Sequence, residues 1–283
     1  HPRRMSDTRQ SVREALAAQT LNLRDPNYFT NKNLDFSQYL RALSVMDDQL
    51  TYQNTGLIQQ ELPALRDLDQ HLREFARAAN IKSLYRTHAP AYKEATDAYR
   101  DDIHTLLATI NHYFRRTPRD ITPFRFQVNL LESHFRGYYL SGGFGTDGRS
   151  PIMVVGPAQE PDYRVVTHEY LHTIVSPVND KLATEIDSLN HLMELVPPNT
   201  QATRNTYNTW LTTFDESMVR ALELRLLNEP SREIQWQMDQ GFILTAYFHQ
   251  RFDQWDNHTG NLETFIRSAI RDLQRQDPAD FLH

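Results

Sequence analysis

The segment VVTHEYLHTIVSP, Val165 to Pro177, sets two histidines four residues apart, with a glutamate directly after the first, in a run that is otherwise almost wholly apolar. On an α-helix, residues i and i+4 project from one face about one turn apart. The segment therefore reads as a buried helix carrying His168 and His172 on one side. An unpaired imidazole or carboxylate in such a setting costs several kcal/mol, so the surrounding fold must supply partners for all three groups. A metal ion meets that demand. In an HExxH motif both imidazoles reach one Zn²⁺ at about 2.0–2.1 Å. Glu169, next to the first ligand, is placed to hold a water and take its proton as general base without ligating.

Two histidines leave a catalytic zinc short of its third protein ligand. Val175 and Val178 stand where a metzincin has its glycine and third histidine, and the next glycine after His172 is Gly241. The chain has no cysteine, which excludes thiolate ligands, a deformylase-type site and disulfides. A downstream carboxylate remains, the gluzincin arrangement. Glu185, Glu194 and Glu216 compete, with His191 beside them. In TFDESMVRALELR, Met218, Val219, Leu222 and Leu226 form a buried side, with Glu216, Arg220 and Glu223 as a polar stripe alongside. That inward stripe favours Glu216 over the other three. An i,i+4 salt bridge from Glu216 to Arg220 on a solvated face is the plainer alternative.

The rest of the chain supports a mixed fold dominated by helix. Leu65, Leu68, Leu72 and Phe75 keep helical spacing, as do Ile103, Leu106, Ile110 and Phe114. After RRTPRDITP come FRFQVNLL, FRGYYLS and PIMVVGP, read as three strands of a small mixed sheet, the last two flanking a glycine-rich turn, Gly142 to Gly148. Pro161 precedes the histidine helix and Pro177 is expected to end it. Further helices are expected through DKLATEIDSLNHLMEL, over 206–227, over 242–252 and over 262–273. This order predicts an α+β fold, mostly α, with an N-terminal helical region over 1–118 and a catalytic domain over 119–283.

Three stretches in order, IMVVGP, HEYLHTIVSPV and DESMVRALELR, resemble a group of uncharacterised bacterial proteins predicted to be gluzincin-type zinc peptidases. The resemblance covers about 139–225. It implies a zincin-like metallopeptidase fold, Zn²⁺ as cofactor, and Glu216 as third ligand. One departure stands out. Thermolysin-like enzymes carry an aspartate one turn after the glutamate ligand, bonded to a ligating histidine, and this chain has Arg220 there, so the histidines need other supports.

The expected activity is hydrolysis of a peptide or protein, the alternative being a zinc-binding module without catalysis. An oxyanion donor is sought among Tyr207, Tyr247 and His249, with Tyr247 preferred. The strand Ile152 to Val155 is expected at a sheet edge, where an extended peptide could add. A formal net charge of -6 without a basic run argues against nucleic acid as partner, and no apolar stretch reaches membrane-spanning length. The opening HPRRMSDTRQ lacks the apolar core of a signal peptide and does not start with Met, so a trimmed or mature form is expected, with a location outside the cytoplasm slightly favoured.

Overall fold

The computed structural model describes residues 10, 14, 36–47, 49–132, 136–140, 151–158, 160–203, 209–255 and 260–277. The expected turn at Gly142–Gly148 lies outside them, as does Tyr207. The chain is an α+β protein, mostly helical, with one three-stranded mixed sheet among the described residues. No helix among them is long and apolar enough to cross a membrane. Two compact units are formed, His1–Ala108 with Arg116–Val165, and Thr109–Arg115 with Val166–His283.

The first unit contains α1 (Phe36–Ser44), α2 (Thr55–Glu61), α3 (Leu68–Ala78), α4 (Ile81–Asp97), most of α5 (Arg100–Tyr113), and the strands β1 (Arg125–Val128), β2 (Gly137–Leu140) and β3 (Ile152–Val155). Ala42, Ile58, Leu65 and Leu68 are sealed in a small core against which Leu72 packs, so the first three residues of the predicted stripe face inward, Leu65 from the 3-10 turn Pro63–Leu65 that precedes α3. The chain passes between the units after Ala108, Arg115 and Val165, and the sheet packs with the N-terminal helices. β1 lies against α4 and β2 against α1, and the Tyr99 and Phe126 rings meet at 5.1 Å.

The strand order is β1-β3-β2, with β3 parallel to β1 and antiparallel to β2. Ile152–Val155 is therefore the central strand and not an edge, and its backbone pairs on both sides. The sequence IMVV, apolar without alternation, is what a strand buried on both faces requires; Met153 is fully buried.

The second unit holds the rest of α6 (Tyr163–Lys181), followed by α7 (Ala183–Asp187), α8 (Trp210–Leu226), α9 (Ser231–Asp239), α10 (Thr245–Arg251) and α11 (Leu262–Leu273). α8 is its axis and is buried nearly all round, from Trp210 to Leu224. The Thr209 hydroxyl caps its start by accepting the Thr212 N–H. Its end is a Schellman turn: Asn228 takes a φ of 53°, Glu229 N–H bonds Leu224 O at 2.8 Å and Asn228 N–H bonds Arg225 O at 3.1 Å, and Pro230 follows. α10 packs along α8 through Phe248, whose ring stands edge-on to Phe214 at 5.1 Å.

α6 does not end at Pro177 but runs through it to Lys181. The proline removes one intrahelical bond, to the Thr173 carbonyl. It sits exposed, while Ile174, Val175 and Asn179 on either side are buried, so packing holds the helix across the gap. The expected helix through DKLATEIDSLNHLMEL breaks into α7 and a 3-10 stretch, Asn190–Leu195. α10 starts three residues later than expected, and α9 was not foreseen.

Candidate metal centre

α6 and α8 supply the centre. His168 and His172 lie one turn apart on α6, with their rings nearly perpendicular and centroids 4.8 Å apart. Glu216 comes from the middle of α8 and is only 6% exposed. The two Nε2 atoms are 3.2 Å apart. Glu216 Oε2 is 3.5 Å from His168 Nε2, and its Oε1 is 3.4 Å from His172 Nε2. Among the described residues these three side chains form a group able to hold a metal ion.

Carboxylates behind the rings decide which way each imidazole faces. His168 Nδ1 is 2.9 Å from Glu223 Oε2. His172 Nδ1 is 3.0 Å from Asp215 Oδ2 and 3.0 Å from Ser176 Oγ. Asp215 is itself fixed, accepting from Ser176 Oγ at 2.8 Å and from Asn179 Nδ2 at 2.6 Å. A carboxylate is acceptor-only when ionised, so the hydrogen-bond network assigns the proton of each neutral ring to Nδ1. Both Nε2 lone pairs then converge with the Glu216 carboxylate on one point.

Three electron-pair donors facing each other at these separations repel unless a cation lies between them. Glu216 Oε2 is buried and makes no hydrogen bond among the described residues, its charge being met by the Arg220 guanidinium, whose Nη2 lies 3.1 Å away. A tetrahedral zinc bound at about 2.0–2.1 Å separates its ligands by roughly 3.3–3.4 Å, close to the 3.2 Å between the two Nε2 atoms and to the 3.4 and 3.5 Å at which the two Glu216 oxygens each approach one of them. The residues present fit a zinc ion.

The electrostatics point the same way. Burial opposes charge on both imidazoles, yet both pKa values are raised: His168 by Glu216 and Glu223, and His172, well above the usual value, by Asp215 and Glu216. Burial also opposes charge on Glu216, but Arg220 and the two imidazoles hold its pKa well below the usual carboxylate range. The pocket is thus built to contain positive charge, which either protons or a metal can provide.

The rival ligands point elsewhere. Glu185 pairs with Arg267 of α11. His191 and Glu194 are exposed on the 3-10 stretch. Glu169 is half-buried beside His168 and is not part of the converging group. The Tyr247 hydroxyl bonds Asp272 Oδ2 at 3.0 Å and Ala269 O at 3.1 Å, and the ring is buried. Those bonds tie α10 to α11, and Tyr247 would have to break them to serve an oxyanion. His249 is half-buried on α10, its pKa lowered by burial and by Arg225.

Sequence reasoning placed Glu223 on the inward stripe but did not pair it with His168, and it missed Asp215, Ser176 and Asn179 altogether. The available signals were the acidic residues Asp215 and Glu223 on the same helix as Glu216, and polar residues one and two turns after His172.

The chain matches no protein-family model, and no curated protein or solved structure is similar to it.

Proposed function

We propose that this protein is a zinc-dependent metallohydrolase of the peptidase class, with a zincin-like arrangement of its site. The observation that carries the reading is the convergence of His168 Nε2, His172 Nε2 and the buried Glu216 carboxylate, with both imidazoles held from behind.

In this reading His168, His172 and Glu216 hold the zinc. Bound there, zinc supplies Lewis acidity and a nucleophilic water at neutral pH. Glu169 takes the proton of the attacking water and returns it to the leaving amine. Glu223 and Asp215 keep the imidazoles aimed and strengthen them as donors. Strand addition of a substrate to β3 plays no part, because both its sides are paired.

The test is Glu169→Gln, which keeps shape and removes the base. Zinc-loaded wild-type protein should cleave members of a broad peptide library, and the variant should keep its zinc while turnover falls about 10²–10⁴-fold. Zinc-loaded wild type without hydrolytic activity points instead to a zinc-binding module. An equally active variant removes Glu169 from the chemistry.

A further inference from the structure

Arg220 stands one turn after Glu216 on α8, a buried cation directly behind a carboxylate that faces the metal centre. Its Nη2 is 3.1 Å from Glu216 Oε2. A cation there repels a metal, so the fold must hold it in place, and it does so from two sides. Nη1 donates to Gln237 Oε1 at 2.9 Å, and the guanidinium carbon lies 4.0 Å from the centroid of the Phe242 ring.

Both supports come from one turn. α9 ends in a Schellman turn, with Gly241 N–H on Met238 O at 2.8 Å and Phe242 N–H on Gln237 O at 3.2 Å. The turn needs the left-handed residue Gly241, at a φ of 95°. It places Gln237 and Phe242 together around the guanidinium.

Substrate recognition does not explain this arginine. The side chain is 11% exposed, and both terminal nitrogens already face protein groups. Nor is it a surface ion pair, since Glu216 is 8% exposed at its side chain. What remains is its effect on the carboxylate. Glu216 Oε2 lies 3.1 Å from Arg220 Nη2 and 3.5 Å from His168 Nε2, while Oε1 lies 3.4 Å from His172 Nε2. A carboxylate with two unengaged oxygens can chelate a metal through both, filling two coordination positions.

Resting on the metal-site reading above, we propose that Arg220 is a positioning residue that engages one oxygen of Glu216, so that the carboxylate offers a single oxygen to the metal and one coordination position stays open. An arginine suits the task because its planar fork meets Glu216 and Gln237 at once, which a lysine ammonium on a single stem cannot do.

The experiment uses Co²⁺ as the probe, because its visible absorption is intense in four-coordinate sites and weakens as the coordination number rises. The full chain is loaded with Co²⁺ as wild type, Arg220→Met and Arg220→Lys. Wild type should bind one equivalent and show the intense spectrum. Arg220→Met should keep its cobalt, show a weaker band, and lose turnover by about ten- to hundred-fold, the range typical of residues behind a ligand. Arg220→Lys should fall between the two in both readouts; if the Met variant does not fold, the Lys variant alone decides. A metal-bound variant with the wild-type spectrum overturns the Arg220 proposal and leaves the metal site standing. A wild type that binds no cobalt overturns both.

Discussion

Asp215→Asn removes the negative charge behind His172 while leaving the contacts around it in place. The carboxylate accepts from Asn179 Nδ2 at 2.6 Å, Ser176 Oγ at 2.8 Å and His172 Nδ1 at 3.0 Å. In the variant, the retained oxygen can serve Ser176 and His172, and the new amide faces Asn179. Asn179 Oδ1 is buried without a hydrogen-bond partner among the described residues, so a flip of that amide turns donor into acceptor and restores the third bond. Only the charge is lost. Hydrogen bonds to charged groups contribute about 1.5–3 kcal/mol against about 0.5–1.5 for neutral ones. The His172 bond should therefore weaken by about 1–1.5 kcal/mol, roughly tenfold in zinc affinity. Asp215→Leu is the contrast, because it takes the acceptor from Ser176 Oγ and Asn179 Nδ2 at about 1–3 kcal/mol each and leaves His172 Nδ1 only Ser176 Oγ. Zinc competition against a chromophoric chelator reads affinity, and urea unfolding of the metal-free proteins reads stability. An Asn variant that binds zinc as tightly as wild type, or that unfolds as readily as the Leu variant, refutes the reasoning.

Further outcomes follow from the same geometry. With both imidazole pKa values raised, the stability they lend the metal-free fold is fully present below the ordinary value of about 6.5 and is lost as pH rises through the folded-state values. Zinc needs neutral imidazoles, so stabilisation by zinc should grow over that range. Melting temperatures with and without zinc should diverge as pH rises above about 6.5, and parallel curves contradict the assignment. Gly241→Ala puts a Cβ 2.5 Å from Thr200 Oγ1 and 2.8 Å from Ala202 Cβ at a positive φ. It should destabilise the fold by about 1–3 kcal/mol on denaturant unfolding, and an unchanged midpoint would show that the turn relaxes. Glu216→Gln should weaken zinc binding strongly and Glu185→Gln hardly at all, as read by the same chelator competition.

The parts of the site carried by one helix were legible from spacing alone. His168 and His172 share a face through the i,i+4 rule, and Glu216 declared itself by its place on the inward stripe of α8. The supports were not legible, because each depends on how α6 and α8 face each other. Glu223, two turns beyond Glu216, reads as one more charge until the crossing of the helices brings it to His168. Asp215 reads as an ordinary acidic neighbour until α8 proves buried almost all round. Strand existence followed from composition, but strand order did not: β3 sits centrally through pairing with β1, a contact between segments far apart in sequence. Pro177 misled because a local stop signal was outweighed by the buried residues beyond it. Tyr247 looked available as a polar tip on an apolar stripe, and the partner of its hydroxyl, Asp272, lies on a helix whose approach no local pattern reveals.

The most direct test of the account is metal content. The protein, stripped with chelator, given zinc and freed of excess, should hold one zinc per chain by elemental analysis and native mass spectrometry. His168→Ala and His172→Ala should each lose it while keeping the helical circular dichroism of the fold. A wild-type protein that retains no zinc, or histidine variants that retain as much as wild type, would contradict the claim that His168, His172 and Glu216 form a metal centre.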